Sequence, residues 1–372
     1  MNEEVGINEL CWCGSGEKFE KCHLNRENEE ALSRSDLERH GKSINSVGVC
    51  SVSDANKAEC SGKIVHAHTI SKSGSLKKIA VDGHVMGTKP SLSELFENDG
   101  RIGLSKVGIN KASTFTGFCT NHDKKLFAPL EDHPITLSDE QLFLLAYRSL
   151  SRELYGKQAN EKNTEFIKLF DRGQPVETQA LIQHFASILG TGVDLALTDL
   201  KYIKGKMDSM LQAADFSGIN HLIIKLSANP KILVSASTQP EFSFDGERLQ
   251  SLADLKKKLS HIVFNCIAYE NSGCFVFSWI DDHDHICRKF VDSLVKLENQ
   301  DIGNALVRFC YSYAENTWAS PMWWESLSEE KKSDISDRLQ HGLLIPITLT
   351  CLKNNGLNFD AFEVSGTELR SM

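Results

Sequence analysis

Near the N-terminus, two pairs of soft ligands face each other across eight residues: Cys11-Trp12-Cys13 and Cys22-His23, with Gly14 and Gly16 between them. Three thiols and an imidazole at this spacing supply the four donors of a tetrahedral zinc site. The glycines let the backbone turn tightly between the pairs, and Phe19 is available to cover one side. A module this small has almost no apolar core. Zinc, worth on the order of 10–16 kcal/mol in a structural site, has to hold it together.

The chain has 372 residues, enough for two or three domains with their own cores. It starts with the acidic MNEEVGINEL, which does not read as a signal peptide, and it holds no run of eighteen apolar residues. The expectation is a cytoplasmic protein with no membrane partner. In a reducing compartment the eleven cysteines stay thiols. Six of them (Cys11, Cys13, Cys22, Cys50, Cys60 and Cys119) lie in the first third, near histidines. Cys266, Cys274, Cys287, Cys310 and Cys351 sit singly in apolar segments and read as small buried hydrophobes.

The filler of the first cluster, CGSGEKFEKCH, resembles the SEC-C motif, the zinc tail of the preprotein-translocating ATPase SecA that is also fused to many bacterial proteins. The resemblance implies a bacterial source and a zinc-stabilised docking knob for a protein partner or the ribosome. No GxxxxGK[ST] motif is present, which excludes a translocation ATPase.

A second set of ligands is spread more widely. Cys50 and Cys60 precede Ile64-Val-His66-Ala-His68, and Cys119-Thr-Asn-His122-Asp123 follows much later. On a strand, His66 and His68 project to one face, where two imidazoles suit metal binding or proton transfer better than core packing. Cys119-x-x-His122 has the spacing of a zinc knuckle leading into a helix. The order of these elements resembles a ββα-metal, or HNH-type, nuclease finger. That resemblance implies structural zinc on Cys50, Cys60, Cys119 and His122. It also implies a catalytic group of His68 as general base, with His66 and Asp123 on a magnesium or manganese ion, the two histidines being exchangeable in these roles. The chain departs from the family in its ten-residue Cys50–Cys60 spacing and in having His-x-His where the family has an adjacent pair. A treble-clef finger without catalysis, using His66 or His68 as a zinc ligand, stays open beside it.

Net charge is −9, yet residues 61–125 carry ten Lys and Arg against five Asp and Glu. Lys72, Lys77, Lys78, Lys124 and Lys125 lie near the second cluster in sequence, as cations that position a phosphate backbone would, with Ser71 and Ser73 as further phosphate donors. The same island also reads as a solvated face.

The whole is expected to be α+β. Two small zinc modules come first, a SEC-C knuckle at 1–25 and a treble-clef or ββα-like finger at 46–135, joined by a charged helix or linker at 26–45. A helical region at 136–217 starts from a Ser138–Gln141 capping box and breaks near residues 173–175 and 190–192. The last stretch, 218–372, reads as an antiparallel sheet of about four strands (219–227, 231–238, 261–269 and 273–280) packed by helices. Asp281-Asp-His283-Asp-His285 reads as helix capping, and the tryptophans at 318, 323 and 324 read as a core anchor. Three functions follow: a metal-dependent HNH-like nuclease, as in a bacterial defence system; a non-catalytic zinc-finger protein binding DNA, RNA, the ribosome or a protein; or an effector whose activity lies in the C-terminal domain.

Overall fold

The computed structural model describes residues 6–45, 48–88, 101–254, 257–341 and 346–371. Positions 46–47 and 89–100 of the expected second finger lie outside the described residues. The chain divides into two compact units: Met1–Val47 with Leu154–Asp199, and Gly48–Glu153 with Leu200–Met372. Two of its boundaries fall inside long helices, Asp139–Lys168 and Val176–Ala213.

In the first unit, the stretch read as a helix or linker contains the helix Arg34–Asn45. Ser33 opens it with a reciprocal cap. Its hydroxyl accepts from the Asp36 amide (3.2 Å), and Asp36 accepts from the Ser33 amide (3.0 Å), which satisfies two otherwise orphaned donors. His40 stacks on Phe166 at 3.7 Å, tying this helix to the end of Asp139–Lys168. The expected break near 173–175 is present. The one near 190–192 is not: Val176–Ala213 runs straight through. Gly190 lies against Thr164, where an added Cβ would come within 3.2 Å of the Thr164 methyl. The glycine is there for close packing, not for a turn.

Averaged over its most apolar stretch, Val176–Ala213 has a mean hydropathy of 1.3, which by length and composition alone is enough to cross a membrane. No uninterrupted apolar run is involved. Leu181, Phe185 and Ile188 face outward from it.

Among the described residues the second unit holds ten strands: β1 Ile64–His68, β2 His84–Gly87, β3 Ser105–Gly108, β4 Thr114–Cys119, β5 Ile219–Leu226, β6 Ile232–Thr238, β7 Ile262–Tyr269, β8 Ser272–Ile280, β9 Thr317–Ala319 and β10 Val364–Arg370. β1 and β4 pair as a separate hairpin, and the others form an antiparallel sheet in the order β10-β5-β8-β7-β6-β9-β2-β3. The four expected strands are its centre, and β7 and β8 meet across a two-residue turn with Glu270 at φ +50°, as tight hairpins require.

The sheet has twice the expected strand number. β2, β3 and β9 are three or four residues long, too short to show a period. β10 is an edge strand whose residues alternate between exposed and half-buried. β2 and β3 come from the stretch read as an independent finger, and β2 pairs with β9 through Gly87 and Trp318. A Cβ at Gly87 would lie 2.4 Å from the Trp318 ring, so that contact needs glycine.

β5 to β8 are buried on both faces. On one face Phe264 and Phe277 pack against Phe290 and Phe309 from the helices Asp284–Val295 and Asn299–Tyr313. Each such ring contributes about 1.5–3 kcal/mol by leaving water. On the other face Ser149, from Asp139–Lys168, hydrogen-bonds Ser235 (2.6 Å) and Asn265 (2.7 Å). The five C-terminal cysteines are buried thiols. Trp318 and Trp323 are buried in the core, and Trp279 donates to Asp284 (2.8 Å) where the acidic run opens its helix.

Candidate metal centres

The first tetrad closes within thirteen residues. The Cys11 amide donates to the Glu17 carbonyl (2.8 Å) and the Phe19 amide to the Glu9 carbonyl (2.9 Å). Gly14 and Gly16 both turn at φ +77°, and the one-turn helix Phe19–Cys22 delivers the second pair. His23 Nδ1 lies 3.2 Å from Cys11 Sγ and 3.1 Å from Cys22 Sγ, and Cys13 Sγ lies 3.5 Å from Cys22 Sγ. A tetrahedron with metal bonds of 2.0–2.3 Å has edges of roughly 3.5 Å, so the donor set fits zinc in type, number and spacing.

Its imidazole is held from behind. His23 Nε2 donates to Asp171 Oδ2 at 2.8 Å, across 148 residues of sequence. Asp171 also accepts from Arg26 Nε on Oδ1 (2.6 Å) and from Gln183 Nε2 on Oδ2 (2.5 Å). Burial pushes the Asp171 carboxyl up, but the hydrogen bonds from His23, Gln183 and Arg26 outweigh it and hold the pKa below the usual carboxylate range. No sequence pattern marked Asp171; only the fold brings it to the finger.

The second tetrad gathers Cys50, Cys60, Cys119 and His122. His122 Nδ1 is 3.4, 3.5 and 3.2 Å from the three sulfurs in that order. β4 ends on Cys119, and the helix Thr120–Glu131 starts at the next residue. That places Cys119 and His122 one turn apart on a single corner. The backbone clamps the loops to it: Val49 and Ser51 amides donate to the Thr116 and Gly117 carbonyls (3.0 and 2.9 Å), and Asn121 donates to the Glu59 carbonyl (2.9 Å). Burial raises the Cys119 thiol, but hydrogen bonds from the His122 amide and from Ser61 dominate and lower it to about 5. Cys50 is pushed up to about 11, chiefly by burial. Among the described residues these two tetrads are the groups of side chains arranged to hold a metal. Neither His66 nor His68 belongs to them.

The expected catalytic group is only partly assembled. β1, β4 and the helix Thr120–Glu131 form a hairpin with a helix following its second strand. Half-buried His68 and Asp123 lie within electrostatic reach of each other, of Arg148 and of Glu131. Burial raises the Asp123 carboxyl, with Glu131 adding to it against Arg148 and His68. Burial lowers the His68 imidazole, with Lys72 and Arg148 adding to that against the Ile109 carbonyl and Glu131. His66 is exposed and is not among the charges acting on Asp123. His66, His68 and Asp123 do not form a third metal-holding group among the described residues.

His68 Nε2 sits 2.9 Å from the Ile109 carbonyl oxygen. A carbonyl only accepts, so the proton is on Nε2 and Nδ1 carries the lone pair. Buried Arg148 donates to the His68 carbonyl (3.1 Å) and to Glu131 (2.8 Å), and Ser71 donates to Glu131 (2.8 Å). Ser71 is thus engaged within the protein rather than held out for a phosphate. Lys78 is tied to the Glu270 carbonyl and Lys125 to Glu59, whereas the Lys77 and Lys124 side chains are solvent-exposed. Neither Arg148, beyond the finger in sequence, nor Glu131, at the end of the knuckle's helix, carried a signal there.

Residues 8–25 match the SEC-C motif. The match takes in all four ligands of the first tetrad. No curated protein and no solved structure matches the chain.

Proposed function

We propose that this is a zinc-scaffolded, metal-dependent phosphodiesterase acting on DNA or RNA, with His68 as general base and the SEC-C finger docking a protein or ribosomal partner. The observation carrying the catalytic part is His68 itself. Its Nε2–H is committed to Ile109, its Nδ1 lone pair is free of that bond, and Asp123 stands within electrostatic reach. A half-buried imidazole with a lowered pKa is neutral near pH 7 and ready to accept a proton from water. The resulting hydroxide would attack phosphorus as the phosphodiester P–O bond breaks. Arg148 fixes the His68 carbonyl and Glu131, so it positions the base. Asp123 would hold a magnesium or manganese ion, which supplies charge stabilisation for the phosphate. Lys77 and Lys124 would meet the backbone.

A second reading is a finger that binds nucleic acid, ribosome or protein without cutting. It is favoured by the exposed, separate His66, which leaves Asp123 without a second ligand from the expected set.

One assay separates the two readings. Purified protein is incubated with plasmid, single-stranded DNA and RNA in magnesium or manganese. Cleavage that falls 10²–10⁴-fold in His68→Ala, with zinc content and fold retained, is expected. Because the His68 pKa is lowered, activity should persist below pH 6.5, the ordinary imidazole midpoint, and decline only at lower pH. No cleavage by wild type, or equal cleavage by His68→Ala, overturns the nuclease reading and leaves the binding one.

A further inference from the structure

We propose that Asp171 is the outer carboxylate of the first metal centre, and that through it metal occupancy at Cys11, Cys13, Cys22 and His23 is coupled to the packing of the helices in the same unit. The inference rests on zinc binding by that tetrad and is independent of the nuclease reading.

A metal-ligating histidine needs one ring nitrogen bare for the metal and the other protonated. An acceptor on the protonated nitrogen fixes that tautomer and raises the basicity of the ligand. His23 meets this requirement: Nδ1 faces the sulfurs, and Nε2 gives its proton to Asp171. Asp171 is fully buried, so its charge has to be matched locally. Arg26, three residues beyond the motif's last ligand, supplies the cation on Oδ1. Gln183, from the helix Val176–Ala213, shares Oδ2 with His23.

Two separate pieces of chain, residues 23–26 and the helix Val176–Ala213, therefore converge on one carboxylate. The backbone reinforces the junction. The Gly173 amide donates to the Arg26 carbonyl (3.0 Å). Gly173 itself turns at φ +69°, where a Cβ would lie 2.9 Å from the Glu29 carbonyl oxygen.

Removing the metal unties Nδ1 of His23 and the loop that carries it, and so loosens a donor to a buried anion. Removing the carboxylate in turn makes His23 a weaker ligand. By linkage the two effects are reciprocal. The finger is then a latch whose metal keeps residues 154–199 packed, rather than a knob hung on a linker.

The test uses the full-length protein. Asp171→Asn keeps the shape and removes the charge. Gln183→Ala removes another partner of the same carboxylate but leaves the His23 bond. Zinc retention is titrated against a chromophoric chelator, and backbone amide exchange is followed in parallel. In Asp171→Asn one zinc equivalent should be released at 10–100-fold lower chelator, with any other equivalent unchanged. Gln183→Ala should stay within about threefold of wild type, even where it lowers Tm as much. Conversely, Cys11→Ser/Cys13→Ser should speed exchange in residues 176–199 while leaving β7 and β8 protected. Equal zinc loss in the two Asp171-shell variants, or unchanged exchange after metal loss, overturns the proposal. Should Asp171→Asn not fold, the exchange arm decides. If the double cysteine variant keeps the full zinc content, zinc binding by the tetrad is what fails.

Discussion

The two tetrads use the same donor set, three cysteine sulfurs and a histidine Nδ1, and are built in opposite ways. The first closes on itself within residues 11–23, and only its outer carboxylate comes from afar. In the second the ligands themselves come from afar. Cys50 and Cys60 precede the hairpin, Cys119 ends it and His122 opens the helix, with β2 and β3 of the large sheet inserted between. The comparison teaches that the cost of losing a structural metal depends on what the metal joins. A local site organises its own loop, whereas a non-local one closes a loop of some seventy residues, whose entropy the metal has to offset.

The largest expected effect follows from that difference. Cys119→Ser should lose one zinc equivalent and open residues 48–131 to limited proteolysis, since binding worth on the order of 10 kcal/mol goes with it. Cys11→Ser/Cys13→Ser should also lose one equivalent, but with new cuts confined to residues 6–45 and 154–199. A wild-type digestion pattern in Cys119→Ser would erase the distinction.

Acidification should separate the sites more finely. Protons compete with zinc for thiolates. Cys119 of the second tetrad sits at about 5, while Cys13 of the first sits at about 7, its burial offset by hydrogen bonds from Ser15 and the neighbouring thiols. For Cys119 the folded pKa lies below the ordinary value of 9.0. Its contribution to the metal-free fold is therefore complete above pH 9, falls as pH drops, and is gone below about 5. Zinc release followed with an indicator dye should show the first site emptying at higher pH than the second, and Cys119→Ser should remove the lower step. The reverse order would refute the assignment.

Gly173→Ala tests the long-range part of the first site. A Cβ there meets the Glu29 carbonyl in a left-handed conformation, a strain of about 1–3 kcal/mol. A lower Tm together with weaker retention of one zinc equivalent is expected, and an unchanged Tm would mean that the junction is slack. The smallest effect belongs to Lys125→Ala. It removes an exposed ion pair with Glu59 (3.3 Å) beside the second site and should cost less than about 1 kcal/mol by denaturant titration, with zinc content unchanged.

How much of this was legible in the sequence follows from distance along the chain. The SEC-C tetrad, the knuckle running into its helix, and the strands β5 to β8 each declare themselves within a short stretch of chain through spacing, period or turn chemistry. The short strands β2, β3 and β9 carry no period, and only pairing with neighbours made elsewhere in the chain turns them into a sheet. Gly190 and Gly192 were read as a break because glycine disfavours helix in isolation. In the fold the lack of a side chain at 190 lets two helices approach, and packing overrides propensity.

The sequence by itself determined that thiols and imidazoles would be concentrated in the first third, that one tetrad would close locally, and that an apolar β-rich core would follow. The tertiary structure decided which histidines join the tetrads. His122 joins the second tetrad while His66 is left exposed and His68 is turned toward Ile109, because the alternation of a strand sets a face but not what lies opposite it. It also decided that Asp171, without any motif of its own, stands behind His23. A buried carboxylate is stable only where its partners converge, and only the folded chain brings His23, Arg26 and Gln183 to one point.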